Sequence, residues 1–362
     1  MSTYQVSDKS VKHSLNLTNF AITFGMVFYS IFGQPVGSSL FTGFMRKLGT
    51  NDLVYSVVMA LPVLGGVSQI LGSYFLERTG KRRFLFLASG FVHRLFWIPV
   101  ALIPLFIVSD MHQAIIISIT ILITVSSVAY SVNTVVFNSW MGDLVPQEIA
   151  GRFFSTRSLI SNISGGIAAL LVGAFIDRVN NLNGFAIIFI LGVLFGMVEI
   201  ITFFRVKNPP MTLSESKPSL VHIIIEPFKN KNYMKFVAFA TIFMFGVNFA
   251  VPFFNVYMIE KLKMSYFIIA MANSVTYSIG AVVFVRKWGA LADRFGNKPV
   301  VFCCALGVAI VPIIWLFAAP GHILMTYVAN FVAGVAWSGY YVAIFNQSVW
   351  LAPEKNRSAY IA

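Results

Sequence analysis

Six polar side chains, Thr120, Thr124, Ser127, Ser131, Thr134 and Asn138, recur at alternating intervals of four and three residues inside one apolar run. That spacing places them on a single helical face. Hydroxyls and amides so arranged either hydrogen-bond a solute in a watery cavity or, being small, let another helix approach closely. For this stripe both readings stand. Three other runs carry polar stripes: Asn19, Thr23, Ser30, Gln34 and Ser38; Thr241, Asn248, Pro252 and Asn255; Tyr327, Asn330, Trp337, Ser338 and Tyr341. Large amides and aromatics serve close packing poorly, so Asn248, Asn255, Asn330, Trp337 and Tyr341 read as cavity lining, and Gln34, Thr124 and Ser131 complete the candidate binding set. Aromatic faces beside amides suit a sugar-like, hydroxylated or amphipathic solute.

The elements that carry these stripes belong in a bilayer. Of 362 residues 57% are hydrophobic and 11% charged, and the mean hydropathy is +0.79, more apolar than a soluble core of this size requires. A spanning helix needs about 20 predominantly apolar residues. Ten stretches qualify, near 18–42, 52–76, 84–108, 113–140, 153–176, 184–204, 234–258, 265–285, 299–318 and 323–345. The expected fold is therefore an all-α membrane protein.

A net charge of +13 would suggest nucleic acid in a soluble chain. Here the basic residues sort by membrane side instead. Lys9, Lys12, Arg78, Lys81, Arg82, Arg83, Arg152, Arg157, the group from Arg205 to Lys235, Arg286, Lys287, Arg294, Lys298, Lys355 and Arg357 fall on one side. Arg46, Lys47, Arg178, Lys261 and Lys263 fall on the other. The positive-inside rule then puts the N-terminus in the cytoplasm. The expected location is the plasma (inner) membrane, multi-pass, with the lipid bilayer and a small-molecule solute as partners, no nucleic acid, and a coupling ion, proton or sodium, left open. The first 15 residues are polar and the first apolar run exceeds a signal core, so the first span is read as retained. Cys303 and Cys304 are neighbours on one helix whose side chains point apart, so neither a disulfide nor a metal cage is expected, and no cofactor. The chain has no Gly-x-x-x-x-Gly-Lys-Ser/Thr phosphate loop, no His-Glu-x-x-His pair and no Gly-x-Ser-x-Gly turn. Enzymatic activity is not expected, and transport would be driven by a gradient or be passive.

Ionisable groups inside the runs are few. Arg94 falls about 15 Å along the third run, with His93 beside it, and Glu199 lies one to two turns from the end of the sixth. Arg94 reads either as an anion-binding or coupling group or as the structural partner of Glu199 or of backbone carbonyls, the structural role being preferred. His93 reads as a proton shuttle or as a hydrogen-bonded packing residue.

Between the eighth and ninth runs stands GALADRFGNK, Gly289 to Lys298, and a degraded copy, SYFLERTGKR, runs from Ser73 to Arg82. The pair closely resembles the loop signature of the major facilitator superfamily. The segment DLVPQEIAGRFF, Asp143 to Phe154, resembles that family's loop between helices four and five, and LAPEKNRSAYIA at the chain's end repeats it. Pro35 answers Pro252, Glu77-Arg78 answers Asp293-Arg294, and Pro146 to Arg152 answers Pro353 to Arg357, in the same order.

The resemblance implies two six-helix bundles related by a parallel repeat, with ten of twelve transmembrane helices present and the eleventh beginning near Ala362. The expected domains are an N-terminal bundle over 1–206, a cytoplasmic linker over 207–232 and a truncated C-terminal bundle over 233–362. It also implies that helices one, four, seven and ten line the cavity, which agrees with the stripes. A gating role follows for Glu77, Arg78, Gly80, Asp143, Arg152, Gly289, Asp293, Arg294 and Gly296, with Asp293 near the start of helix five and Arg78 paired to Asp143. The function implied is secondary transport of a small solute by alternating access. A receptor or partner protein on the same fold is the alternative, and a channel is disfavoured because no ring of charges is present.

Overall fold

The computed structural model describes residues 8–33, 38–106, 112–211 and 226–351. Gln34, Pro35, the linker around Ser214 to Ser219 and the second loop copy from Pro353 to Arg357 lie outside them. Among the described residues there is no strand, and ten helices are long and apolar enough to cross a membrane. They are Lys9–Phe32, Asp52–Thr79, Arg82–Phe106, Gln113–Leu144, Gln147–Arg178, Leu182–Arg205, Lys231–Lys261, Tyr266–Phe295, Asn297–Trp315 and Leu324–Ser348, called spans one to ten below. The chain divides into unit one, Met1–Lys217, and unit two, Pro218–Ala362.

Several helix ends differ from the expected runs, each for a local reason. Span one starts nine residues earlier than expected, because Asp8 caps it by accepting from the Ser10 amide at 2.8 Å. It stops at Gly33, whose φ of 81° suits only glycine. Ser38, expected to continue the span-one stripe, instead caps a separate short helix, Ser39–Lys47, through the Phe41 amide at 3.0 Å. Span three breaks at Phe96, since Pro99 supplies no N–H to the turn before it. The decapeptide copies expected as loops are mostly helix: span eight runs through Phe295 and turns only at Gly296, φ 86°, while span two runs to Thr79 and turns at Gly80, φ 62°.

In unit one, span one packs along spans five and six, and span four packs along spans two and three. Glycines set the distances. A Cβ at Gly65 would meet the Val128 amide of span four at 3.1 Å, and one at Gly72 would meet Val132 Cα at 3.1 Å. Ser68 between them donates to the carbonyls of Gly65 at 2.6 Å and Val128 at 3.1 Å. Aromatics close the gaps elsewhere: Phe32 stacks on Trp97 with centroids 4.0 Å apart, and Phe86, Trp140 and Phe203 fill the end of the unit near the linker.

Unit two rests on span ten, which packs along spans eight and nine. Here the backbones touch. A Cβ on Gly280 of span eight would overlap the Phe331 carbonyl of span ten, and a Cβ on Gly334 of span ten would overlap the Tyr277 carbonyl of span eight. Gly246 in span seven has nothing within 4 Å of its missing Cβ. Gly334→Ala should therefore lower the stability of unit two by about 1–3 kcal/mol through overpacking. Gly246→Ala should be neutral or stabilising by up to about 1 kcal/mol, since only helix propensity changes. Thermal unfolding of both variants in the same detergent checks the contrast.

Candidate functional site

Deep in unit one the expected pair forms. The Arg94 guanidinium donates through Nη2 to Glu199 Oε2 and through Nη1 to the Gly90 carbonyl at 3.1 Å, with Arg94 and Glu199 both buried. Two glycines make the space: a Cβ at Gly25 would overlap the Glu199 carboxylate and one at Gly196 would press on Phe28 at 2.9 Å and Arg94 at 3.0 Å, whereas one at Gly90 would overlap Ile200 and crowd Asn133 at 3.1 Å. The rings of Phe28 and Tyr29 face the guanidinium at 5.3 and 6.0 Å.

His93 sits in the same layer. Ser126 spends its hydroxyl proton on the His93 carbonyl at 2.7 Å, so its oxygen can only accept from His93 Nδ1 at 2.8 Å, and the Ser126 carbonyl at 3.1 Å likewise only accepts. The neutral ring therefore carries its proton on Nδ1. Nε2 is buried with no hydrogen-bond partner among the described residues and is bordered by the rings of Phe28, Tyr29 and Tyr130.

The stripe on span four splits between two duties. Thr120, Thr124, Ser127 and Thr134 return their hydroxyl protons to carbonyls four residues back, at 2.7 to 3.0 Å. Ser127 and Ser131 are buried, with Ser127 against Gly65, whereas Asn138 is exposed. In unit two, Asn248 is exposed and Asn330 half-buried, each donating to a carbonyl of its own helix, Met244 at 2.8 Å and Thr326 at 2.9 Å. Asn255 accepts from Asn273 of span eight at 3.0 Å. Asn273 stands in a wide π-turn, Met271–Thr276, of a kind that often marks functional sites, and nothing in its sequence spacing singles it out. On span ten Trp337 and Tyr341 stack with centroids 5.1 Å apart and planes 26° from parallel, and Tyr341 is 57% exposed.

The motif copy in unit one works through a different arginine from the one expected. Arg78 is exposed and donates to Tyr74 Oη at 2.8 Å. Arg82, which ends the copy, is 1% exposed and reaches Asp143 Oδ2 at 2.6 Å, the Ser139 carbonyl at 2.9 Å and the Pro209 carbonyl at 2.8 Å. Four residues separate the two arginines, and the turn at Gly80 directs the later one inward. Arg82 shares its task with Arg83, which donates to the Val206 carbonyl at 2.6 Å, and with Trp140 Nε1, which donates to the Lys207 carbonyl at 2.8 Å. Lys207 Nζ reaches Asp8 at 2.8 Å, and hydrogen bonds from Lys207 and Ser10 hold the Asp8 carboxyl well below the usual range. The start of the expected linker is thus strapped to spans one, three and four. Of the remaining motif residues, Glu77 is half-buried, Arg152, Asp293 and Arg294 are exposed, Arg294 lies over Phe295 at 5.0 Å, and Gly289 sits inside span eight with open space at its Cβ.

Ten apolar helices among the described residues, in two units, with the Arg94–Glu199 pair buried within the first, define a multi-pass membrane protein of the transporter fold. A family profile described as Major Facilitator Superfamily matches residues 20–362, and the chain belongs to that superfamily. Among solved structures, a mutant of the nucleoside transporter NupG is 12% identical with a TM-score of 0.76, covering 97% of this chain and 86% of that one. A bacterial homolog of the human lysosomal transporter Spinster, inward-facing and unoccupied, is 13% identical with a TM-score of 0.69, covering 98% and 78%. The xylose transporter XylE from E. coli, partially occluded and inward open, is 13% identical with a TM-score of 0.65, covering 96% and 88%. These likenesses establish the fold. No curated protein matches the sequence.

Substitutions at four positions separate structural charge from surface charge. Arg94→Ala leaves Glu199 buried and unpaired, at a cost of about 3–5 kcal/mol, and should cut membrane yield; adding Glu199→Gln should restore part of it. Arg82→Gln should free the strap, so that trypsin cuts at Lys207 faster than in the parent, whereas Arg78→Gln should leave the cutting rate unchanged.

Proposed function

We propose that the chain is a secondary carrier that moves a small hydroxylated or amphipathic solute across the membrane by alternating access, gradient-driven or facilitative, with its N-terminus in the cytoplasm. The observation that carries the reading is the stacked Trp337–Tyr341 face on span ten, more than half exposed at Tyr341 within a helix that crosses the bilayer. Such a face against lipid gains nothing from its hydroxyl, but against a solute it offers a flat apolar surface with a polar edge. Half-buried Asn330, exposed Asn248 and the Asn255–Asn273 amide pair supply hydrogen bonds of the kind hydroxyl groups require. The similar structures include a nucleoside transporter and a xylose transporter, and nucleosides and xylose are rich in hydroxyls.

Counterflow in proteoliposomes, run over a panel of pentoses, hexoses, their acids and nucleosides, tests the proposal. At least one solute should exchange across the bilayer faster than in protein-free vesicles. Tyr341→Ala, which removes an exposed ring and little packing, should lower that exchange about tenfold while purified yield stays within twofold of the parent. Equal loss of yield and exchange would make the face a folding element instead.

A further inference from the structure

Arg157 sits ten residues into span five, about 15 Å along the helix from Gln147, because two turns of helix precede the position at which the span was expected to begin. A long basic side chain near a membrane boundary usually extends outward to water. Arg157 does the reverse. Its Nη1 donates across the bundle to the Thr18 carbonyl of span one at 2.8 Å, and its guanidinium lies 4.8 Å over the Phe137 ring of span four. Thr18 is fully buried, and Arg157 and Phe137 are half-buried.

Charge accounting leaves Arg157 without a carboxylate inside a span. Arg83, likewise held by a carbonyl, that of Val206 at 2.6 Å, and by a ring, Trp140 at 5.9 Å, stands instead at the helix end beside the linker. Within unit one Arg94 is matched by Glu199, Arg82 by Asp143, Arg46 by Asp52 and Lys207 by Asp8. No carboxylate among the described residues lies within 4.0 Å of Arg157, so the layer it shares with spans one and four keeps one uncompensated positive charge. A guanidinium has five N–H donors in a planar fork, and only one is engaged among the described residues. A carbonyl and a ring face solvate such a cation in part, while an oxyanion matches the fork in both charge and shape. Polar side chains for the rest of a solute stand alongside in sequence: Thr134 and exposed Asn138 flank Phe137 on span four, and Ser161 follows Arg157 by one turn on span five.

We propose that Arg157 recognises an oxyanion, so that the solute carries a carboxylate or phosphate group beside its hydroxyls. The word solute rests on the carrier reading above. An oxyanion site on spans one, four and five stands without it.

The test uses the full chain purified in detergent, with inorganic phosphate and acetate as probes and chloride at matched ionic strength as the control. At least one probe should raise the midpoint of thermal unfolding in a saturable way. Arg157→Gln should weaken that apparent affinity about tenfold or more, and Arg157→Lys should fall between, since it keeps charge and loses the fork. Should Arg157→Gln fold poorly, Ser161→Asp places a carboxylate one helical turn from the guanidinium and should cancel the stabilisation by filling the site from within. No stabilisation by either anion, or stabilisation that persists in Arg157→Gln or Ser161→Asp, overturns the proposal. Phosphate acting without acetate, or the converse, identifies the anionic group. Anion binding without counterflow would remove the carrier reading and leave the site in place, while counterflow of neutral solutes alone, with no anion effect, would remove the site and leave the carrier.

Discussion

Hydrocarbon offers no hydrogen bonds, and that constraint runs through every polar side chain of both units. A backbone crossing the bilayer must satisfy itself, so the spans are helical, with a local 3-10 turn at Gly65–Val67 and π widening at Tyr257–Lys261 and Met271–Thr276. Glycines of positive φ, Gly33, Gly80 and Gly296, end spans one, two and eight. The same rule governs hydroxyls: most of those on spans one, four and five donate to a carbonyl three or four residues back in their own helix. Such a hydroxyl is satisfied without a partner helix, keeps an accepting lone pair, and can face lipid, protein or a cavity. Serine and threonine stripes are therefore poor witnesses to a binding site, while amides and guanidinia, with donors in excess of what one turn of helix can absorb, are better ones.

Charge inside the bilayer obeys a harsher version of the rule. Glu199 of span six and Arg94 of span three meet in a notch cut by Gly25 of span one and Gly196 of span six, so the pair occupies volume that side chains would otherwise fill. Burying both charges is expensive, and the return is geometrical as much as energetic, since three spans must keep their register for the notch to exist. The Arg82 cluster plays a similar part at the helix ends, where it holds carbonyls of the linker that no helix satisfies.

The architecture was legible because its signals are long and redundant: ten apolar runs, two copies of one motif, and a lopsided distribution of basic residues. The pairing of Arg94 with Glu199 was legible too, since a buried charge has few alternatives. What the sequence hid was direction. Arg78 and Arg82 both follow the motif's acidic residue, and only the left-handed turn at Gly80 decides which one reaches Asp143. Arg157 reads as a boundary charge until the helix is seen to start at Gln147. Asn273 owes its place beside Asn255 to a π-turn, a one-residue widening without a compositional signature. Hydropathy locates a helix along the chain, but not its rotation about its own axis, and side-chain partners depend on rotation.

The contact of spans eight and ten at Gly280 and Gly334 bears on how unit two moves. Helices separated by a layer of side chains can slide, because rotamers on either side absorb a displacement of an ångström or so. Where carbonyl meets bare Cα there are no rotamers to yield. Spans eight and ten therefore behave as one stiff beam along this stretch, with Asn273 and Tyr277 on one strut and Trp337 and Tyr341 on the other. A ligand that pulls on the aromatic face pulls on both struts at once, and any give in the unit must come from span seven, where among the described residues only Tyr233, Val256 and Met258 are buried and where Pro252 breaks the ladder of backbone bonds.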